Sequence, residues 1–145
     1  MIKVLIQVAG GSCDRRIYDE RTLEYKETRK GSLPYIYPYG FIPETITEDG
    51  ACVDCYIITR DNLQAGSIVE CEPIGLLEQN EGGEIDHKIL ASLPDEKAEV
   101  SQELWHEMQD FIHLLFSAHP EIPVTVGNIL PREDALRHIE EHREK

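Results

Sequence analysis

Hydrophobic periodicity changes once along this chain, and that change limits the fold more than any other feature of the sequence. Between positions 2 and 93 the apolar residues fall in short strand-like runs. These are IKVLIQVA (2–9), LEYKET (23–28), CVDCYIIT (52–59), SIVECEPIGLLEQ (67–79) and HKILASL (87–93), cut apart by Gly, Pro, Asn and Asp. In SQELWHEMQDFIHLLFSAH (101–119) the spacing turns helical. Leu104, Trp105, Met108, Phe111, Ile112, Leu115 and Phe116 recur at that period, with Ser101 as N-cap and Pro120 as stop. VTVGNIL (124–130) reads as one more strand, after which Pro131 opens a short helix to about Glu144. Strands followed by helices predict a β-dominated α+β fold: a small antiparallel barrel with one long and one short helix packed outside. At 145 residues, with no linker or repeat, the chain predicts a single domain over 1–145.

Charge excludes some functions. Against 28 acidic residues stand 14 basic ones, a net charge of −14, so neither nucleic acid nor an anionic membrane suits this surface. A phosphate compound remains accessible if divalent cations bridge it to the acids. The apolar start is too short for a signal-peptide core and no run reaches transmembrane length, which makes a cytoplasmic location the expectation. The four cysteines are then expected to be reduced. Cys52 and Cys55 have zinc-like spacing, but on a strand their sulfurs point to opposite faces. His138 and His142, one helical turn apart, read as part of a solvated face. No nucleotide-binding glycine loop of the usual forms is present, and no serine or cysteine has a recognisable catalytic partner.

One carboxylate needs explaining. In EDGACVDCYIITR (48–60) Asp54 interrupts an apolar run, where an unpaired charge costs several kcal/mol, roughly, unless a cation or hydrogen bonds compensate. Strand alternation puts Cys52, Asp54 and Tyr56 on one face and Val53, Cys55 and Ile57 on the other. An extended chain would hold Asp49 about 16 Å from Asp54, and a turn at Asp49-Gly50 permits a closer approach. NEGGEIDHK (80–88) repeats the ingredients, with Glu81, Glu84 and Asp86 in a glycine-rich loop and Lys88 entering the next strand. Two acid-bearing loop-to-strand junctions that converge at one end of a barrel would offer the oxygen ligands that a hard dication such as magnesium requires.

Residues 37–59 (YPYGFIPETITEDGACVDCYIIT), followed by LQAGSIVECEPIGLLE (63–78) and GGEIDHKILASLP (82–94), resemble the soluble, family I inorganic pyrophosphatases. The family signature runs Asp, small residue, Asp, Pro or Glu, apolar, Asp, apolar. Here it stands as Asp49, Gly50, Ala51, Cys52, Val53, Asp54, Cys55. The resemblance implies a five-stranded, OB-like closed barrel and a homo-oligomer. It also implies magnesium, with manganese as substitute, and pyrophosphate or another small phosphoanhydride as substrate. By position it makes Asp49, Asp54 and Asp86 metal ligands and Asp54, Lys88 and Tyr39 the catalytic group. Arg29, Tyr39 and Lys88 would hold the phosphates. Four departures accompany it. Ala51 replaces the carboxylate thought to take the proton from the attacking water, Gln7 and Asn80 replace two further acids, and Ala118 and His119 stand near a tyrosine-lysine pair of the long helix. Glu48, Glu81 or Glu84 are the acids near enough in sequence to stand in for the base. The same departures define the alternative, a weak or inactive homologue that binds metal and phosphate compounds.

Overall fold

The computed structural model describes residues 1–144. Its strands are β1 (Ile2–Val8), β2 (Asp14–Tyr18), β3 (Tyr25–Lys30), β4 (Tyr39–Ile42), β5 (Val53–Ile57), β6 (Ile68–Glu81), β7 (Glu84–Ile85), β8 (Lys88–Ser92) and β9 (Val124–Leu130). The helices are α1 (Gln102–Phe116) and α2 (Arg132–Glu141). The sheet order β1-β4-β5-β8-β6, with a further pairing of β1 to β6, closes five strands into a ring. Both β7 and β9 add to the long strand β6, while β2 and β3 form a separate hairpin.

The ring is not the set of five runs that alternation picks out. Of LEYKET only Tyr25–Thr28 fall in β3, which is exposed along its whole length and lies outside the ring. Its place is taken by β4, four buried residues between Pro38 and Pro43, too short to show a period. Nor is the ring wholly antiparallel. β5 and β8 run parallel, Asp54 opposite Lys88 and Tyr56 opposite Leu90, because β6 intervenes in the sequence and carries the chain back.

Packing follows the alternation. Val53, Cys55 and Ile57 of β5 join Ile89 and Ala91 of β8 in a cluster completed by Ala135 and Ile139 of α2. On the other face Tyr56 and Leu90 meet Leu104, Met108, Phe111 and Ile112 of α1. Ser101 caps α1 by accepting the Leu104 N–H at 3.1 Å. The hairpin is fastened across the ring by Tyr18, whose ring lies 6.5 Å from Phe41, and by Gln7 Nε2 donating to the Arg16 carbonyl at 3.1 Å. Gly40 allows β4 to lie against β1, since a Cβ there would stand 1.9 Å from the Leu5 carbonyl oxygen. All four cysteines are free, and Cys52 and Cys55 belong to different clusters, as their opposite strand faces require.

Candidate active site

Asp54 is compensated by Lys88. The parallel register of β5 and β8 sets the two residues side by side on one face, and Lys88 Nζ donates to Asp54 Oδ2 at 2.7 Å. The same ammonium donates to Asp86 Oδ2 at 2.9 Å and to the Tyr39 hydroxyl at 3.2 Å, so its three donors have three partners. Lys88 is only 5% exposed. Burial opposes its charge, yet Asp54, with Tyr39 and Asp86 behind it, holds the ammonium well above the ordinary lysine range. Burial and Asp54 together push the Tyr39 phenol well up, so it stays a neutral hydroxyl.

Asp86 reaches this point through a tight turn. Gly82 and Gly83 connect β6 to β7 with φ of +60° and +88°, the two positive angles of a type I′ hairpin. The return strand brings Asp86 back beside β6, where its N–H donates to the Gln79 carbonyl at 3.0 Å. Glu81 lies alongside Asp86, and burial followed by that neighbour pushes the Glu81 carboxyl up to about 7. Burial alone would raise Asp86 too. The hydrogen bond from Glu81 and the Lys88 charge instead carry it below the usual aspartate range. The two acids thus crowd each other until one holds a proton, and a divalent cation is what such a pair of hard oxygen donors fits.

Two assigned residues stand apart. Asp49 is exposed, its Oδ1 accepting the Thr47 hydroxyl and, at 2.9 Å, the Ala51 N–H, so the turn at Gly50 satisfies its carboxylate locally. Arg29 is exposed on β3 and donates through Nε and Nη2 to Glu27 Oε1 at 2.9 and 2.6 Å. Its cross-strand partner Arg15 reaches the cluster instead. The Arg15 guanidinium lies 5.5 Å from the Tyr39 ring centre, and its buried Nε has no partner among the described residues. Sequence reasoning passed over Arg15. Its one cue is a basic pair, Arg15-Arg16, between Asp14 and the apolar Ile17 in an otherwise acidic chain. Gln7 is buried with an orphaned Oε1, as is Gln79 Oε1. Among the described residues no group of three or more His, Cys, Asp or Glu side chains is placed to hold a metal ion.

The neighbouring cavity of about 540 Å³ lies beside this cluster, not over it. Glu48, Asp49, Glu84, His87, His138 and His142 line it, whereas Asp54, Asp86 and Lys88 do not. His138 and His142 are therefore no solvated face. Both are partly buried, with the His87 ring 5.8 Å from that of His138. Burial, then His142 and His87, depress the His138 imidazole to about 4.

Residues 13–145 match the family model described as inorganic pyrophosphatase. The inorganic pyrophosphatase of Nanoarchaeum equitans is 30% identical over 157 aligned positions, which cover 99% of this chain and 96% of that protein. That of Nostoc sp. (strain PCC 7120) is 37% identical over 97 residues, 66% of this chain but only 57% of the relative's length. The crystal structure of the inorganic pyrophosphatase from Thermus thermophilus superposes with a TM-score of 0.83 at 25% identity, covering 95% of this chain and 86% of that one. By sequence and by architecture, this chain belongs to the inorganic pyrophosphatase family.

Proposed function

We propose that this protein hydrolyses inorganic pyrophosphate, or a closely related small phosphoanhydride, to two phosphates, with magnesium as cofactor and manganese as a working substitute. The observation that carries the reading is the convergence of Asp54, Asp86, Lys88, Tyr39 and Arg15 from five separate strands and turns, in a chain of this family. Asp54 and Asp86 supply hard oxygens for the cation, with Asp49 on the adjoining loop as the further aspartate of the set. Bound magnesium would neutralise phosphoryl charge and lower the pKa of a water.

The chain's own groups divide the remaining tasks. Lys88, buried and cationic, has its three donors held by Asp54, Asp86 and Tyr39, and would turn one to a phosphoryl oxygen once a cation takes over the two carboxylates. Arg15 has an unpartnered Nε–H to donate to the same anion. Tyr39 orients from the side as a neutral hydroxyl. No carboxylate stands at Ala51, so the proton of the attacking water needs another acceptor. Glu81, titrating at about 7, is the acid whose protonation changes at working pH. General base catalysis is worth roughly 10²–10⁴-fold, so its partial loss slows turnover without abolishing it. Steady-state phosphate release with magnesium tests the reading, and Ala51→Asp is expected to raise the rate by about tenfold or more.

A second reading, a weak or inactive homologue that binds metal and phosphate compounds, is favoured by Ala51 and by the self-contained turn of Asp49. Calorimetric binding of magnesium pyrophosphate with no phosphate released would select it. The free cysteines accord with a cytoplasmic location, and no helix among the described residues is long and apolar enough to cross a membrane. The homo-oligomer that the family resemblance implies is measured by light scattering on the eluted protein.

A further inference from the structure

The second cavity shares its walls with the elements that carry the aspartate cluster. Glu48 and Asp49 lie on the loop before β5, Glu84 on β7, and His87 stands in the chain between Asp86 and Lys88, while His138 and His142 come from α2 and its C-cap. A group attached to a phosphate held on that cluster has this space beside it. The volume of about 540 Å³ falls within the roughly 300–1,000 Å³ of small-molecule sites.

The lining is unsuited to a bare anion. It holds three carboxylates and, among the described residues, no lysine or arginine, and the His138 imidazole, depressed to about 4, is neutral at working pH. What it offers is flat rings and acceptors. The His138 ring centre lies 4.4 Å from that of His142 and 5.8 Å from that of His87, a group of imidazoles on which a heterocyclic base can stack. His87 Nδ1 accepts the Gln79 N–H at 3.1 Å, which puts the proton on Nε2, a donor without a partner among the described residues. Glu48 Oε1 stands 3.4 Å from His142 Nε2, so the second oxygen of this exposed carboxylate is left to accept, as is the exposed Glu84 carboxylate. Acceptors outnumber donors, and the complementary ligand brings donors of its own. The hydroxyls of a ribose and the exocyclic amine of a base are such donors, and a ring nitrogen of the base takes the one N–H.

We propose that this cavity binds the nucleoside portion of a nucleoside diphosphate with an amino-substituted base, adenine or cytosine, whose phosphates lie on the neighbouring cluster of Lys88 and the aspartates. The base stacks on the His138 ring, His87 Nε2–H donates to a ring nitrogen, and Glu48 and Glu84 accept from the amine and the ribose. The place of the phosphates rests on the pyrophosphatase reading; the nucleoside contacts do not.

Adenosine, which has no phosphate and needs no metal, is the first probe. Saturation-transfer difference NMR on the full chain should show transfer to its base protons, and the transfer should be lost in His138→Ala. Calorimetry with ADP and magnesium should then show affinity falling about tenfold in His138→Ala, the scale of one lost stacking contact, with pyrophosphate affinity unchanged in that variant. Glu48→Ala, at an exposed position, should weaken ADP binding in the same direction without any dependence on helix packing, and far-UV circular dichroism checks the fold of both variants. Absence of transfer to adenosine, or ADP affinity equal in the native chain and the folded variants, overturns the proposal. Adenosine binding by a chain that releases no phosphate from pyrophosphate supports the cavity assignment and removes the pyrophosphatase reading, so the two failures are told apart.

Discussion

Lys88 neutralises two aspartates at once, and much follows from a buried ammonium with no spare donor. Replacing it by methionine leaves Asp54 and Asp86 without the ammonium that both share. Loss of one partner from a buried pair costs about 3–5 kcal/mol, and the partial exposure of both aspartates, at 18% and 31%, reduces that to about 2–3 kcal/mol. Urea unfolding of Lys88→Met measures it, and adding magnesium should restore part of the loss by occupying the freed carboxylates. Glu81 supplies a pH signature. Its folded pKa, about 7, lies above the ordinary glutamate value, so the native state binds the extra proton. Stability of the metal-free protein therefore falls as pH rises from about 4.5 to about 7 on account of this group. Magnesium binding should release a proton at pH 6.5 and almost none at pH 8, which calorimetry in buffers of different ionisation enthalpy detects. Most of this cluster is legible in the sequence because Asp54, Asp86, Lys88 and Tyr39 lie in a contiguous resemblance with strand alternation to orient them. Arg15 is not, because its position depends on how a hairpin folds across the ring. Nor is the state of Asp49, since a carboxylate beside glycine can satisfy its own turn.

At the level of elements, the contrast between β3 and β4 shows what periodicity can and cannot reveal. LEYKET has the alternation of a strand and from Tyr25 onward is one, but every residue of β3 is exposed and the ring does not use it. β4 has all four residues buried, and without a polar face it leaves no alternation to read. Its role rests on Gly40. A methyl group there would stand 1.9 Å from the Leu5 carbonyl oxygen, a clash with backbone that no side-chain rotation relieves. Gly40→Ala should cost more than about 3 kcal/mol, beyond ordinary overpacking, and displace Tyr39 from Lys88. Thermal unfolding followed by circular dichroism checks it against Gly50→Ala, where nothing stands within 4 Å and only the φ of +87° is strained. α1 was legible at its start and along its buried face because seven apolar residues and a serine cap agree with one another, whereas it ends at Phe116 with Ser117 as C-cap, short of the stop at Pro120.

For the whole molecule, the ring explains how residues from Arg15 to Lys88 come to share one place. Closing β1 onto β6 brings the first strand to the longest one, and the parallel β5–β8 pair carries both acid-bearing loops to neighbouring positions. That closure cannot be seen in any local pattern, since the pairings of β1 with β4 and β6 and of β5 with β8 join segments far apart in sequence. The acidic surface is compatible with a polyanionic substrate only if cations reverse the local sign, so the central claim is a metal-dependent one. Phosphate release from pyrophosphate, measured against magnesium concentration for the native chain and Asp86→Asn, tests it most directly. The account predicts release that requires magnesium and falls by about 10²-fold or more in the variant. Release that is independent of magnesium, or equal in the two proteins, would contradict it.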